Sequence, residues 1–88
     1  DITDVSVLLN YIDQQSEELA LDLKKISKLA RTITLKIKYS DFKSITRSQT
    51  FPFPTDQKDG IFRTTSELLL RNTEVGVRPI RLIGVSAS

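Results

Sequence analysis

One stretch of this chain has residue types and a spacing that suit contact with a charged ligand. In this stretch two threonines and two lysines alternate with apolar residues. The polar members of the stretch share one parity: Thr32, Thr34, Lys36 and Lys38. The apolar members share the other: Ile33, Leu35, Ile37 and Tyr39. Because successive side chains of a strand face opposite sides, this alternation predicts a strand with one buried and one exposed face. The exposed face carries ammonium and hydroxyl groups and no carboxylate, which suits contact with phosphates.

The residues after this strand predict that the chain turns back on itself. Ser40 and Asp41 carry short oxygen-bearing side chains that hydrogen-bond the local backbone and so favour a turn. Residues 43–51 then read as a returning strand that brings Arg47, giving a β-hairpin with a basic, hydroxyl-rich outer face. Any half-exposed strand needs polar residues outside, however, so an ordinary solvated sheet face explains the same pattern. The alternation by itself leaves both interpretations open.

The charges are divided unevenly along the chain, although the net charge is only +2. Residues 1–29 carry six acidic and three basic residues, residues 30–54 carry one and five, and residues 55–88 carry four and five. The positive segment coincides with the predicted hairpin. Because such asymmetry steers polyanions towards one side of a protein, it strengthens the phosphate-binding interpretation.

An amphipathic helix is predicted before the hairpin. Thr3 or Asp4 can cap its first turn. Gln15 and Ser16 interrupt its apolar stripe, so we expect the middle turns to pack less deeply. Spacings of three, four or seven residues define the stripe, which consists of Val5, Leu8, Ile12, Leu19, Leu23 and Ile26.

The residues after the hairpin predict a connector, a second helix and a last strand. Residues 51–54 (Phe-Pro-Phe-Pro) form an extended connector, since proline does not fit a central strand. Thr55 or Asp56 can cap the second helix. Its apolar stripe is Ile61, Phe62, Thr65, Leu68 and Leu69. Residues 80–85 are apolar at both parities, which favours a central strand, and Gly84 within it suggests a bulge or a close backbone approach.

The order helix, strand, strand, helix, strand predicts an α+β fold. Two amphipathic helices need one apolar sheet face to cover, so we expect a two-layer sandwich whose antiparallel sheet is open on the other face. Eighty-eight residues suffice for one domain with one modest core. We expect that core to include Leu19, Leu23, Ile33, Leu35, Ile37, Phe62, Leu68 and Val85.

The residue types needed for catalysis are largely missing. The chain has no histidine and no cysteine, and its three glycines are too scattered for a phosphate-binding loop. The acidic residues of the first helix fall outside its apolar stripe and are expected to be solvated. No apolar run is long enough for a membrane span. We therefore expect a non-catalytic domain without a cofactor or metal.

Three segments in this order and spacing resemble one family. They are residues 34–51 (TLKIKYSDFKSITRSQTF), 61–70 (IFRTTSELLL) and 80–88 (IRLIGVSAS). Together they resemble the C-terminal little finger domain of Y-family lesion-bypass DNA polymerases, in particular the bacterial polymerase IV and UV-protection (ImpB/MucB/SamB) group. The resemblance covers nearly the whole chain.

The resemblance implies a β-α-β-β-α-β domain whose first strand would precede Asp1. In that family the open sheet face lies along the primer–template duplex, and the catalytic carboxylates belong to a separate palm domain. Residues 1–88 would then be one little finger DNA-binding domain, a piece of a larger DNA-directed DNA polymerase. By the same resemblance, DNA contacts are expected at Thr34, Lys36, Lys38, Arg47, Gln49, Arg81 and Ser86. Some relatives carry arginine where this chain has Leu82 or Ser86, which implies a weaker phosphate grip here.

The resemblance also implies partners and a location. We expect duplex primer–template DNA, the catalytic domains of the same polymerase and the sliding clamp as partners, magnesium only in the palm domain, no membrane, and a bacterial cytoplasmic protein. A different class of function also fits the pattern, namely a protein-interaction module that adds a strand to an exposed sheet edge. Phosphate binding weakens steeply with salt whereas strand addition does not, so salt dependence separates the two.

Overall fold

Strand β1 (Ala30–Tyr39) is the centre of the computed structural model, which describes residues 2–88. Helix α1 (Val5–Lys25) precedes it, and strand β2 (Ser44–Thr55), helix α2 (Lys58–Asn72) and strand β3 (Ile80–Ala87) follow. The strands form an antiparallel sheet in the order β2-β1-β3. Both helices cover one face of this sheet and leave the other open. The predicted α+β two-layer sandwich is therefore confirmed.

The core lies between the helices and the inward face of β1. Ile33, Leu35, Ile37 and Tyr39 are buried, as the alternation predicted. Of the other expected core residues, Leu68 is buried, whereas Leu19, Leu23, Phe62 and Val85 are partly buried and pack against the core.

Helix α1 begins as predicted and packs more evenly than predicted. The Asp4 side chain caps it by accepting a hydrogen bond from the backbone N–H of Ser6 at 2.8 Å. The expected shallow packing at Ser16 is wrong, because this residue is fully buried. Its hydroxyl donates to the carbonyl of Ile12 at 2.8 Å, which satisfies the buried polar group within the helix. At the other end, Ile26 is exposed as the C-cap residue and does not extend the apolar stripe.

Helix α2 follows the same principle. Its hydroxyl-bearing core residue, Thr65, is buried and donates to the carbonyl of Ile61 at 2.8 Å. The expectation that Thr55 or Asp56 caps this helix is wrong, because Gln57 is the N-cap residue and its side chain makes no capping hydrogen bond. The Oγ1 of Thr55 instead accepts from the backbone N–H of Gln57 at 3.0 Å, just before the helix begins. An ion pair of 2.9 Å between Lys58 and Asp13 joins the two helices.

The segment predicted as a connector belongs to strand β2. Pro52 and Pro54 lie within an edge strand, where a missing N–H need not break the ladder. The pairing register between β1 and β2 shifts in this segment: Thr32 pairs with Thr50, whereas Ala30 pairs with Thr55. The extra residues bulge away from β1, which leaves Phe53 80% exposed.

Strand β3 lies at an edge of the three-stranded sheet, not at its centre as its apolar composition suggested. Its outward Leu82 is exposed, which explains why the strand is apolar at both parities without being buried on both faces. An isolated bridge joins Ile2 to Ile80 on the outer edge of β3. The expected bulge at Gly84 is wrong, because the register shift falls beside Tyr39 instead. No protein atom lies within 4 Å of a Cβ built at Gly84, so the space above this residue is open to a ligand.

Candidate nucleic-acid interface

The open sheet face gathers the polar residues of the three strands into rows. Across the sheet, Lys36 of β1 lies between Thr46 and Gly84. The neighbouring row places Thr34 between Ser48 and Ser86. Hydroxyl groups of β1 and β2 lie side by side in two such rows, 3.1 Å apart between Thr34 and Ser48 and 3.4 Å apart between Thr32 and Thr50. The face thus combines ammonium groups with hydroxyl groups that can donate to a phosphate oxygen.

A shallow groove of about 390 Å³ crosses this face. Lys36 and Lys38 stand on one side of it, and Leu82 and Gly84 lie on the other. Because nothing fills the space above the Gly84 Cα, the backbone of β3 is open to approach from solvent. The groove suits an elongated ligand resting on the sheet rather than an enclosed small molecule.

Arg81 joins the lysines at the hairpin end of the open face. The register shift places Arg81 and Leu82, both exposed, between the buried Ile80 and the half-buried Ile83. The Arg81 guanidinium carbon lies 4.7 Å from the centre of an exposed aromatic ring, that of Phe42. The Lys38 Nζ lies 5.3 Å from the centre of the same ring. The structure therefore brings together five of the predicted site residues: Thr34, Lys36, Lys38, Arg81 and Ser86.

Arg47 and Gln49 lie on the other side of the sheet. Arg47 pairs with Leu35 and Gln49 with Ile33, and both of these partners point into the helix layer. The Arg47 Nε donates to the carbonyl of Asn72, the last residue of α2, at 3.0 Å. The expectation that Arg47 belongs to the outer face is wrong, since its guanidinium closes the end of a helix instead.

The length of the hairpin loop explains this difference. A two-residue turn at Ser40 and Asp41 would have paired Arg47 with Thr34 on the open face. In the structure Phe42 is a third loop residue, and the backbone N–H of Tyr39 donates to the carbonyl of Lys43 at 2.9 Å. A shift of one residue in register moves every side chain of a strand to the opposite face.

Arg78 holds the loop against the turn that precedes β3. Its guanidinium pairs with Asp41 and with Glu74, and it stacks on the ring of Tyr39, 4.1 Å from the ring centre. The pKa of Asp41 lies below its ordinary value, because the carboxylate accepts a hydrogen bond from the backbone N–H of Lys43 and lies beside Arg78. The hydrogen bond to Glu74, with the nearby Asp41, raises the pKa of Arg78. The one acidic residue of segment 30–54 is thus neutralised by a partner.

Sequence reasoning missed four residues of this face or its border: Ser44, Thr46, Ser48 and Phe42. The hydroxyl residues of β2 share the parity of Lys36 only in the observed register, which the loop length determines. The sequence did not indicate a role for Phe42 at this face, because an aromatic residue in a turn is ordinarily expected to pack against the protein.

Within residues 2–88 no group of three or more acidic side chains is placed to hold a metal ion. None of the helices in that part of the chain is long and apolar enough to cross a membrane.

Fold and surface together define a class, a two-layer α+β domain that presents a basic, hydroxyl-lined open sheet. The chain belongs to the impB/mucB/samB family C-terminal domain, whose family model matches residues 1–88. Among curated relatives, DNA polymerase IV of Clostridioides difficile (strain 630) is 44% identical over 79 residues, which cover 90% of this chain and 21% of the relative. DNA polymerase IV of Alkalilimnicola ehrlichii is 38% identical over 88 residues, 100% of this chain and 24% of the relative. The family resemblance seen in the sequence is confirmed, and the chain spans about a fifth to a quarter of the length of these relatives.

Solved structures share the fold. A complex of the beta-clamp processivity factor with the little finger domain of PolIV matches with a TM-score of 0.74 at 24% identity, covering 100% of this chain and 78% of the other. An insertion ternary complex of Dbh DNA polymerase matches with a TM-score of 0.72 at 23% identity, covering 98% of this chain and 24% of the other. At these identities the likeness establishes the architecture, which is that of a little finger domain.

Proposed function

We propose that this chain is a non-catalytic DNA-binding domain that grips the backbone of a primer–template duplex for a lesion-bypass DNA polymerase. The observation that carries the proposal is the open sheet face, where Lys36 and Lys38 project among hydroxyl groups and, among residues 2–88, have no acidic cross-strand neighbour. The relatives are DNA polymerases, which supports polymerase activity in the parent protein. The fold supports the role of a little finger for this chain.

The mechanism is electrostatic. Ammonium, guanidinium and hydroxyl groups hold phosphate oxygens, and such contacts fix position without reading base sequence. A polymerase that must follow any template, including a damaged one, benefits from a grip of this kind. The shallow groove beside Gly84 lets the sugar–phosphate backbone approach the strand closely. The phosphoryl transfer, with its magnesium ions, belongs to other domains of the parent protein.

The interface that we propose comprises the residues gathered on the open face, together with the hydroxyl residues that the register adds. These are Thr34, Lys36, Lys38, Ser44, Thr46, Ser48, Arg81 and Ser86. Arg47 and Gln49 are left out, because a duplex resting on the open face does not reach the helix side.

The remaining partners are part of the same proposal. The catalytic domains of the polymerase would hold the reacting ends of the duplex, and a sliding clamp would tether the whole enzyme, as the name of the solved clamp complex suggests. An enzyme that works on bacterial chromosomal DNA acts in the cytoplasm.

One observation favours a second candidate function. Strand β3 is an edge strand, and within residues 2–88 its outer side pairs with Ile2 at Ile80 only. An edge of this kind can accept a strand from a partner protein.

Titration of fluorescently labelled duplexes with the 88-residue chain separates the two functions. For the DNA grip we expect duplexes of unrelated sequence to bind with the same affinity, and the logarithm of that affinity to fall linearly as the logarithm of salt concentration rises. Single-stranded DNA of the same length is the control. Absence of duplex binding at low salt would refute the DNA-binding proposal and leave strand addition as the better explanation.

A further inference from the structure

Phe42 occupies a backbone position at which an aromatic residue is unexpected. It is the third residue of the hairpin loop and has a φ of 67°, in the left-handed region. Its N–H donates to the carbonyl of Tyr39 at 2.9 Å, and the Asp41 Oδ1 accepts from the N–H of Lys43 at 3.1 Å. Three-residue hairpin loops usually place glycine at this position, since a Cβ is strained there. The backbone geometry therefore does not account for phenylalanine.

The Phe42 ring does not serve the hydrophobic core either. It is 60% exposed. Its neighbours are two cations, the Lys38 Nζ at 5.3 Å and the Arg81 Cζ at 4.7 Å from the ring centre. Both distances are within the range of about 6 Å at which a cation is attracted to an aromatic face. The ring thus gathers two positive charges that come from different strands.

We infer that Phe42 is a positioning residue of the duplex interface, whose ring holds Lys38 and Arg81 side by side for backbone phosphates. The inference rests on the proposed function and deepens it by assigning a role to an uncharged residue. A free lysine or arginine loses rotamer freedom when it binds a phosphate. Side chains already gathered over a ring lose less, so the ring raises affinity without touching the nucleic acid.

This role predicts that stability and binding change independently. Phe42→Gly relieves the left-handed strain, so the fold should be as stable as the wild type or more stable. The same change removes the ring and should weaken binding. A residue needed only for folding would show the two effects in the same direction.

The test compares Phe42→Gly, Phe42→Leu and Phe42→Trp with the wild-type chain, using a labelled duplex at low salt and thermal melts in parallel. Phe42→Leu keeps an apolar side chain without a ring, and Phe42→Trp keeps a ring that attracts cations at least as well. We expect glycine and leucine to weaken binding roughly three- to tenfold, and tryptophan to retain it. In a chain that also carries Lys38→Gln and Arg81→Gln, Phe42→Gly should have no further effect.

The outcomes distinguish this inference from the proposed function. If the wild-type chain binds no duplex, the proposed function fails and the inference falls with it. If the wild-type chain binds but Phe42→Gly and Phe42→Leu bind as tightly, only the inference is refuted. Equal weakening by Phe42→Gly with and without the two cations would also overturn it, because the ring would then act by direct contact with DNA.

Discussion

Truncation of Leu35 tests which side chains of β1 face the helices and which face solvent. The proposed interface depends on that assignment. Leu35 is 1% exposed and lies in the central strand between Arg47 of β2 and Val85 of β3. Strands on both sides restrain its backbone, so Leu35→Ala should leave a cavity that neighbouring residues fill only in part. Its parity is opposite to that of Lys36, so a Leu35 that faces the helices places Lys36 on the opposite, open face of the sheet.

The expected loss of unfolding free energy follows from the burial of Leu35. Removing a buried leucine side chain costs about 2–5 kcal/mol in lost transfer free energy and cavity formation. A chain of 88 residues is expected to have a total unfolding free energy of only about 4–13 kcal/mol. Since each kcal/mol shifts the melting temperature of a domain this small by about 4–8 °C, a loss near 3 kcal/mol lowers it by roughly 12–24 °C.

Leu82→Ala is the matched control, because Leu82 lies in the same sheet but is 60% exposed on the open face. We expect it to change the free energy of unfolding by no more than about 0.5 kcal/mol. Both variants should be compared with the wild type by thermal melting and urea titration. Equal midpoint shifts for the two variants would refute the assigned parity, and with it the placement of the lysines on the open face.

Two further predictions concern the hairpin loop and the sheet edge. Because the pKa of Asp41 is lowered in the fold, its stabilising contribution is present above the unfolded-state pKa of about 3.9 and is lost as pH falls through the folded value. The stability of Asp41→Asn should therefore fall less steeply than that of the wild type between roughly pH 5 and pH 2 in urea titrations. Asp22→Asn on α1 serves as control, and parallel curves for the wild type and Asp41→Asn would contradict the assignment. Beyond the bridge between Ile2 and Ile80, the outer edge of β3 has no partner strand within residues 2–88. We therefore expect the 88-residue chain to self-associate along the edge formed by residues 80–86, and a version extended upstream in its parent, whose added strand would cover that edge, to stay monomeric. Sedimentation at high concentration that shows monomers of both would prove this prediction wrong.

Strand β1 could be predicted from sequence because its alternation is unbroken. Four apolar residues at one parity and four polar residues at the other specify the strand, its buried face and its exposed face together. The helices were predictable from their apolar spacing for the same reason. Ser16 was misjudged because a serine counts as polar, whereas a hydroxyl that donates to its own helix can be buried.

Strand β2 could not be placed by pattern, because all twelve of its residues are exposed or half-exposed, so neither parity marks a buried face. Its register follows from the number of loop residues, and the single residue Phe42 decides on which side Arg47 lies. Pairing from a three-residue loop would have given the correct side. Strand β3 was misplaced because composition alone cannot distinguish a central strand from an edge strand whose outward leucine is exposed.

The salt dependence of duplex binding tests most directly whether the lysines of the open face hold duplex phosphates. The comparison is between Lys36→Ala/Lys38→Ala and Lys24→Ala/Lys25→Ala, which removes the same charge from the end of α1. We expect the first pair to weaken binding for all duplex sequences alike and to reduce the salt slope by about one unit per lost contact, nearly two in total. The second pair should leave the slope unchanged. An identical slope for both double variants would show that Lys36 and Lys38 do not hold duplex phosphates.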